Sequence, residues 1–379
     1  MFKKMVSFLV LVALFLSGIP TVYAEDSLSV TAPSALLMDY NTGKVLFEKN
    51  SHEIRACASI TKIMTLCLIF EAIDAGKIDY DTVVTTSPAA AAMGGSDIWL
   101  VEGEQMTVND LIKAIVVASA NDAAVAMAEC VSGSEKLFVE QMNKKAQELG
   151  MKDTVFKNCN GLDEEGHLTS AYDVALMSRE LMKHEEVYNY TSIWLDYLRD
   201  GATQIVNTNK LLKSYDGITG LKTGTTSQAG ACISATAQRD GMNLIAVVLG
   251  AENTADRFTD AASLLNYGFA NFDTVIPPEP ENTVSFIPVT KGMEDKAAIK
   301  ADISGNFLVE KGSGNKITSE INLKDEVEAP VSKGQEIGRI TYKLGESVLG
   351  EFPIVSLENI TRINFSDVMN LMVGSFLSE

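Results

Sequence analysis

The segment CASITKIMTLCLIF, residues 57 to 70, restricts the fold more than any other stretch of the chain. It predicts a helix from Ser59 to Ala75 that is apolar on nearly every face, with Gly76 suited to end it. A helix of that kind must lie in the protein interior, surrounded by other elements. Lys62 lies inside it, although a buried ammonium group without a partner is strongly unfavourable. The segment therefore predicts a central helix that keeps a lysine in the core for a reason other than stability.

The rest of the first 270 residues predicts an α+β domain. Two β-like runs flank the turn Asn41-Thr42-Gly43, and two later runs, ACISATAQ and MNLIAVVLGA, are joined by Arg239-Asp240-Gly241. Amphipathic helical patterns lie between them, one of which has Thr107 in position to cap its first turn. We expect the first and last strands to share one antiparallel sheet, with the helices clustered against it.

The pattern changes near VIPPEPEN, residues 275 to 282, where proline and glutamate indicate a linker. Residues 25–275 are therefore predicted to form the first domain. Residues 276–356 predict a small all-β domain, because short strand-like runs alternate there with Gly, Asp, Asn and Lys.

Residues 357–379 predict an amphipathic helix that docks on a membrane surface. Its charged residues, Arg362 against Glu358, Asp367 and Glu379, would not attract it to anionic lipid. Packing against the protein or a partner is therefore the alternative. One face of the helix carries the apolar residues Phe365, Val368, Met369, Met372, Val373 and Phe376.

The first 24 residues, MFKKMVSFLVLVALFLSGIPTVYA, have the three parts of a secretory signal peptide. Lys3 and Lys4 form the basic region, an apolar run follows, and VYA ends in a small residue at Ala24. An uncleaved membrane anchor is the alternative, but the run is short for a span. The sequence therefore predicts export to the outer face of the cytoplasmic membrane or the cell wall space.

The formal net charge of −19 argues against nucleic acid as a partner, because nucleic-acid binding recruits basic patches. His52, His167 and His184 are scattered without metal-ligand spacing. The five cysteines include no CxxC pair. We therefore expect neither a metal site nor a cofactor.

Ser59 and Lys62 are spaced to face the same side of a helix. Burial lowers the pKa of a lysine, and a neutral amine beside a hydroxyl can take its proton. The pair therefore predicts a serine nucleophile activated by a lysine base. The spacing alone is weak, because Ser313 and Lys316 repeat it in a Gly-rich turn.

Two further motifs strengthen this interpretation. Ser119-Ala120-Asn121 lies between apolar helical runs, and Lys222-Thr223-Gly224 begins the later strand region. Ser-x-Asn recurs at Ser304-Gly305-Asn306, whereas Lys-Thr-Gly occurs once. The three motifs in this order and context are typical of penicillin-binding proteins and class A β-lactamases.

The chain resembles the D-alanyl-D-alanine carboxypeptidases, which are low-molecular-mass penicillin-binding proteins with a C-terminal β domain. The resemblance extends to NGLDEEGHLTSAYDVALMSREL, RFTDAASLLNYGF and APVSKGQEIGRITYKLGE, and so covers nearly the whole chain after the predicted signal peptide. It implies a penicillin-binding/β-lactamase-like transpeptidase domain, an antiparallel sheet with a helical cluster. It also implies a secreted enzyme that trims D-alanine from peptidoglycan stem peptides ending in D-Ala-D-Ala, and that β-lactams acylate.

The resemblance implies roles for each motif. Ser59 attacks the carbonyl between the two D-alanines, Lys62 takes its proton, and Ser119 relays a proton. Asn121 holds the substrate amide and orients Lys62. Ser59, Lys62 and Ser119 are therefore the implied catalytic residues, and Asn121 is an implied substrate-binding residue.

The third motif is implied to hold the substrate. Lys222 supplies positive charge, Thr223 hydrogen-bonds the terminal carboxylate, and Gly224 leaves room for the substrate. The backbone N–H groups of Ser59 and Thr225 form the oxyanion hole, where some relatives carry histidine or a larger residue at the position of Thr225. Arg257 is a candidate second carboxylate contact, or an ordinary surface arginine.

Two other functions share parts of this pattern. A class A β-lactamase needs a Glu-x-x-x-Asn pattern, but Glu164 is followed four residues later by Leu168, and Glu165 by Thr169. A penicillin-reactive sensor or cell-wall scaffold with little turnover would keep all three motifs, so the sequence does not exclude it.

Overall fold

A computed structural model describes residues 28–280 and 285–377 of the chain. The predicted signal peptide lies outside these residues. The strands are β1 (Ser34–Asp39), β2 (Val45–Lys49), β3 (Val83–Thr85), β4 (Gln105–Thr107), β5 (Leu195–Leu198), β6 (Thr203–Val206), β7 (Ile218–Thr226), β8 (Gly230–Arg239), β9 (Met242–Ala251), β10 (Phe272–Val275), β11 (Phe286–Thr290), β12 (Lys296–Ala301), β13 (Phe307–Glu310), β14 (Ile317–Leu323), β15 (Val327–Glu328), β16 (Glu336–Leu344) and β17 (Ser347–Ser356).

Most of the helices belong to the first domain. The α-helices are α1 (Lys62–Asp74), α2 (Pro88–Ala91), α3 (Val108–Lys113), α4 (Asn121–Ser132), α5 (Glu135–Glu148), α6 (Ala171–Leu181), α7 (Tyr188–Thr191), α8 (Thr254–Asn271) and α9 (Phe365–Leu377). Short 3₁₀ helices cover Ala58–Thr61, Glu185–Val187, Lys210–Lys213 and Gly314–Lys316, and a π-helical turn covers Ala114–Ala118.

The main sheet has the order β2-β1-β9-β8-β7, and every neighbouring pair in it is antiparallel. The predicted sharing of one sheet by the first and last strands is confirmed, because β1 pairs with β9. Strands β8 and β9 are buried along almost their whole length, which is why they read as continuous apolar runs. Helix α8 covers one face and the helical cluster around α1 and α6 covers the other. The predicted α+β class is confirmed.

Helix α1 lies at the centre of the helical cluster, as its apolar sequence predicts. Most of its residues are buried, including Lys62, and it packs against α4, α5 and α6. The predicted Thr107 cap is confirmed, since its Oγ1 accepts the backbone N–H of Asp110 at 3.2 Å. The predicted helix from Ser59 differs at its start, where a 3₁₀ turn precedes the α-helix.

The second unit is built from β strands around its own core. Its main sheet has the order β14-β16-β17-β12-β11-β15, and β10, which follows α8 directly, pairs with β13. The hydroxyl of Tyr342 donates to the Pro278 carbonyl at 2.9 Å and so ties the proline-rich segment to this core. Ile360 and Arg362 still pair with Val331 and Gly292, so the terminal helix α9 begins later than the predicted tail segment.

Candidate active site

The Ser59 side chain lies on the 3₁₀ turn that leads into α1. Ala58, directly before it, has φ of +52°, a left-handed conformation that residues other than glycine adopt rarely. The turn presents the Ser59 hydroxyl to the next turn of the chain, where Lys62 Nζ donates to Ser59 Oγ at 3.1 Å. The structure therefore brings together the first predicted pair.

Lys62 is fully buried and has three hydrogen-bond acceptors. Besides Ser59 Oγ, these are Asn121 Oδ1 at 2.6 Å and the Asn160 carbonyl oxygen at 2.6 Å. Burial lowers the pKa of Lys62 to about 7, although the negative charges of nearby acids such as Asp97 and Asp122 act to raise it. A lysine with that pKa is present largely as the neutral amine at slightly alkaline pH.

Ser119 and Asn121 form the break between α3 and α4. The π-helical turn before them ends at Ser119, whose backbone is left-handed at φ +61°. π-Helical turns are common at functional sites because they displace the side chains that follow. Asn121 begins α4, and its Nδ2 donates to the Gly94 carbonyl at 2.7 Å while its Oδ1 accepts from Lys62. The predicted break places both polar side chains at the Ser59 site.

Strand β7 is an edge strand of the main sheet and carries the third motif. Lys222 Nζ donates to Ser119 Oγ at 2.9 Å and to the Thr223 carbonyl at 3.0 Å. Burial holds the pKa of Lys222 well below its ordinary value, and the charges of Lys62 and Arg257 lower it further. Thr223 Oγ1 donates to Thr208 Oγ1 at 2.6 Å. All three motifs therefore meet in one site.

Gly224 lies where β7 passes the 3₁₀ turn Ala58–Thr61, which carries Ser59. A Cβ atom at this position would lie 2.7 Å from the Cys57 carbonyl oxygen and 3.0 Å from the backbone nitrogens of Ser59 and Ile60. The glycine therefore lets the strand approach the turn itself, whereas the sequence predicts only room for the substrate. This contact brings the backbone of Gly224 next to the Ser59 N–H.

Arg257, on α8, is buried rather than on the surface, with 5% of its area exposed. Its Nη1 donates to Thr225 Oγ1 at 2.8 Å and to the Gly224 carbonyl at 3.1 Å. Burial lowers the pKa of the guanidinium below its ordinary value. The interpretation of Arg257 as an ordinary surface arginine is therefore wrong, and its described contacts support the end of β7.

Sequence reasoning missed two contributors. The Asn160 carbonyl is the third acceptor of Lys62, and the Gly161 backbone packs so close that a Cβ there would lie 2.0 Å from the Ala58 oxygen. The Asp122 carboxylate accepts the N–H groups of Ile98 and Leu100 and so fixes the loop whose Gly94 carbonyl binds Asn121. The Asn-Gly pair at residues 160–161 is a turn signal that could have indicated the contact of the Asn160 carbonyl with Lys62.

The site is rich in basic side chains that have no acidic partners. Among residues 28–280 and 285–377, none of the ion pairs to Asp or Glu involves Lys62, Lys222 or Arg257. Their hydrogen bonds go to neutral oxygens instead. In those same residues, no three His, Cys, Asp or Glu side chains gather where they could hold a metal ion. The arrangement can activate a serine and attract an anionic group.

Comparisons with known proteins agree with this site. The family model of D-alanyl-D-alanine carboxypeptidase matches residues 21–253, and that of the C-terminal domain of penicillin-binding protein 5 matches residues 272–362. The D-alanyl-D-alanine carboxypeptidase DacF of Bacillus subtilis is 42% identical over 384 residues, which cover 99% of each chain.

Solved structures give the same result. Penicillin-binding protein 5 from Haemophilus influenzae is 32% identical with a TM-score of 0.76, covering 88% of this chain and 98% of that chain. Penicillin-binding protein D2 from Listeria monocytogenes in its ampicillin-bound form is 32% identical with a TM-score of 0.58, covering 66% of this chain and 100% of that chain. The fold is that of a penicillin-binding protein. Within that class, the chain belongs to the D-alanyl-D-alanine carboxypeptidase family, which confirms the resemblance seen in its motifs.

Proposed function

We propose that this chain is a serine D,D-carboxypeptidase that removes the terminal D-alanine from peptidoglycan stem pentapeptides and so limits cross-linking. One observation carries the proposal, the 3.1 Å contact between Ser59 Oγ and the fully buried Lys62 Nζ. A buried lysine bound only to neutral oxygens is unfavourable for folding and is suited to act as a base.

The first step forms an acyl-enzyme. In its neutral form Lys62 has two hydrogens, which it donates to Asn121 Oδ1 and to the Asn160 carbonyl, so that its lone pair can accept the Ser59 hydroxyl proton. It takes that proton as Ser59 Oγ attacks the carbonyl carbon between the two D-alanines. The negative charge that develops on the carbonyl oxygen is stabilised by the backbone N–H groups of Ser59 and Thr225. Asn121 keeps Lys62 in place through Oδ1, at 2.6 Å, and offers its amide to the substrate backbone.

The second half of the step expels D-alanine. The departing nitrogen takes a proton that Ser119 relays, and Lys62 returns to its neutral form. Ser119 Oγ already accepts a hydrogen bond from Lys222 Nζ, so its own hydrogen is free to point elsewhere. Water then attacks the ester on Ser59, and its proton passes to Lys62. Lys62 returns that proton to Ser59 Oγ as the ester bond breaks, and the shortened peptide leaves with a new carboxylate.

The cationic side of the site would bind the terminal carboxylate of the substrate. Lys222 provides positive charge, and Thr223 provides a hydroxyl beside it. An arriving carboxylate favours the charged form of Lys222 and so offsets the cost of its burial. Arg257 adds positive charge behind Thr225, and its contact with the carboxylate stays a prediction.

We further propose that β-lactams acylate Ser59. A β-lactam presents a strained amide and a nearby carboxylate, which match the oxyanion hole and Lys222. The structures of penicillin-binding protein D2 with ampicillin and cefotaxime, each 32% identical to this chain, support this extension. A fluorescent penicillin should label the wild type and fail to label Ser59→Ala.

We propose that the enzyme is exported and works in the cell wall space, because its substrate lies there. Residues 25–275 would form the catalytic domain, residues 276–356 the β domain, and the tail 357–379 a membrane-surface helix. No helix in the described ranges 28–280 and 285–377 is both long and apolar enough to cross a bilayer. Helix α9 exposes apolar side chains, with Phe365 82% exposed and Met369 45% exposed, which supports a surface contact with lipid.

Removal of residues 365–379 tests the tail. The shortened protein should lose sedimentation with phosphatidylcholine vesicles and keep D-alanine release from a soluble peptide. Equal sedimentation of both proteins would contradict a lipid-binding tail and favour its packing on protein.

The defining experiment measures free D-alanine released from a peptide ending in D-Ala-D-Ala. Wild-type protein should release it, and Ser59→Ala should not. A folded wild type that is labelled by penicillin but releases no D-alanine would support the sensor or scaffold alternative.

A further inference from the structure

A chain of buried hydrogen bonds ends on the turn before Ser59, and the mechanism above does not use it. The Lys157 backbone N–H donates to His167 Nδ1 at 3.1 Å, and His167 Nε2 lies 2.7 Å from Thr61 Oγ1. Thr61 Oγ1 in turn donates to the Ala58 carbonyl oxygen at 2.9 Å. Thr61 is fully buried and His167 is 4% exposed, so water does not compete for these bonds.

The direction of this chain is fixed by its first member. A backbone N–H can only donate, so Nδ1 of His167 accepts and the neutral imidazole carries its hydrogen on Nε2. Burial lowers the pKa of His167 to about 4, a shift that Glu164 and Asp163 oppose and Lys157 reinforces. The ring is therefore neutral across the physiological range. Its Nε2–H donates to Thr61, whose own hydroxyl hydrogen is directed at the Ala58 oxygen.

The end of the chain lies on the peptide group that contains the Ser59 N–H. The carbonyl of Ala58 and the N–H of Ser59 belong to one planar trans peptide unit, so they point in opposite directions. A hydrogen bond that fixes the carbonyl therefore also fixes the N–H. Ala58 needs such support because its φ of +52° is unfavourable for a residue with a side chain.

The backbone of a neighbouring loop also restricts the position of the Ala58 carbonyl. Gly161 has φ of +87° and lies so near that a Cβ there would be 2.0 Å from the Ala58 oxygen. His167 and Gly161 belong to the same loop after α5, so this loop holds the Ala58 carbonyl both by contact and through Thr61. Asn160 of that loop also binds Lys62.

We propose that His167 and Thr61 form a positioning relay that aims the Ser59 N–H at the oxyanion of the transition state. The inference rests on the proposed function, which assigns that N–H to the oxyanion hole. Neither residue contacts the reacting atoms. Because the oxyanion exists only in the transition state, the relay should affect kcat and acylation, and not the binding of substrate.

Thr61→Val removes the hydroxyl and keeps the shape of the side chain. Loss of a whole oxyanion donor reduces kcat by about 10²–10³-fold, so we expect a misaimed donor to reduce it by about 10–100-fold. The KM for a diacetylated L-Lys-D-Ala-D-Ala peptide should stay within about twofold of wild type. Thr61→Ser keeps the hydroxyl and should restore most of kcat.

A pair of substitutions at His167 tests the other member. Glutamine places an amide N–H near the position of Nε2–H, whereas leucine fills the space without a donor. His167→Leu should therefore lower kcat more than His167→Gln. Thr236→Val is the matched control, because it removes a buried threonine hydroxyl on β8 that accepts from Thr219 Oγ1 at 2.8 Å. Melting temperatures of all variants identify any that fail to fold.

A kcat of Thr61→Val within about twofold of wild type would overturn the relay. A loss that Thr61→Ser or Thr236→Val shares to the same extent would overturn it as well, because it would reflect packing alone. If Thr61→Val does not fold, the kcat values of His167→Gln and His167→Leu test the relay instead. A kcat of His167→Leu that is not below that of His167→Gln would then overturn it. If the wild type releases no D-alanine, the proposed hydrolysis fails, and the rate of labelling by fluorescent penicillin tests the relay through the same variants.

Discussion

The two units of the molecule hold their basic residues in opposite ways. In the catalytic site, Lys62 and Lys222 are buried and hydrogen-bond to neutral oxygens. In the β domain, Lys343 pairs with Glu320 at 2.6 Å and Lys291 with Glu328 at 3.0 Å. Lys343 is half-buried, and the other three side chains are exposed. The residue type is the same in both places, but its surroundings differ.

This difference identifies the region around Lys62 and Lys222 as the place where side chains are arranged for chemistry at the expense of folding stability. An exposed ion pair adds little to the stability of the fold and costs little in desolvation energy. A buried lysine without a carboxylate opposes folding and changes its own pKa. Such a lysine indicates function more strongly than the count of charges does.

The largest expected effect comes from Lys62→Arg. The substitution keeps the positive charge but replaces the amine with a group that does not deprotonate. Loss of a general base typically reduces the rate by about 10²–10⁴-fold, and we expect kcat for D-alanine release to fall within or beyond that range. Lys343→Arg in the β domain is the control and should match the wild type. Substantial activity of Lys62→Arg would show that charge alone suffices.

Gly224→Ala should have the next largest effect. Its Cβ would lie within 3.0 Å of three backbone atoms in and beside the turn that carries Ser59, and backbone atoms cannot move aside at low energetic cost. We expect a destabilisation of about 1–3 kcal/mol together with a loss of penicillin labelling. The comparison is Gly350→Ala in the β domain, where the atoms nearest to a Cβ would be ring atoms of Phe307 and Phe352, at 3.1 Å. Equal effects of the two substitutions on labelling would contradict the role of Gly224.

A smaller effect is expected at Lys145, which joins three helices of the catalytic domain. Its ammonium lies 2.5 Å from Glu71 and 2.8 Å from Glu180, and all three groups are partly buried. Burial alone would lower the pKa of Lys145, but the hydrogen bonds to Glu180 and Glu71 outweigh it and raise the pKa. Lys145→Met should therefore lower the melting temperature.

Lys343→Met removes the half-buried lysine of a pair whose carboxylate, Glu320, is exposed, and it should lower the melting temperature much less. An equal decrease in both variants would show that burial does not distinguish these pairs. D-alanine release should be retained by both, since neither lysine contacts the site.

The features that the sequence predicts are those with a local signal. The central helix, the hairpin turns, the Thr107 cap and the break at Ser119-Ala120-Asn121 each depend on residues close together in the chain. The three motifs could be assigned to one site because their order is typical of a known class, and the structure does bring them together.

The features that the sequence does not predict depend on contacts between distant segments. The Asn160 carbonyl meets Lys62 across 98 residues, and a backbone oxygen has no signature in the sequence. Arg257 looks like a surface arginine because nothing near it in the chain reveals that α8 packs behind β7. The close approach at Gly224 likewise depends on where the strand passes the turn.

The central claim is that burial leaves Lys62 neutral enough to accept the Ser59 proton. It is tested most directly by following the side-chain carbons of lysine by NMR through a pH titration of the free enzyme, with Lys62→Arg to assign the signal. The account predicts a Lys62 pKa near 7, and a kcat/KM that is retained above this pKa and declines as the pH falls through it, because protonated Lys62 cannot act as a base. A Lys62 that titrates near its ordinary value, with full activity well below it, would contradict the account.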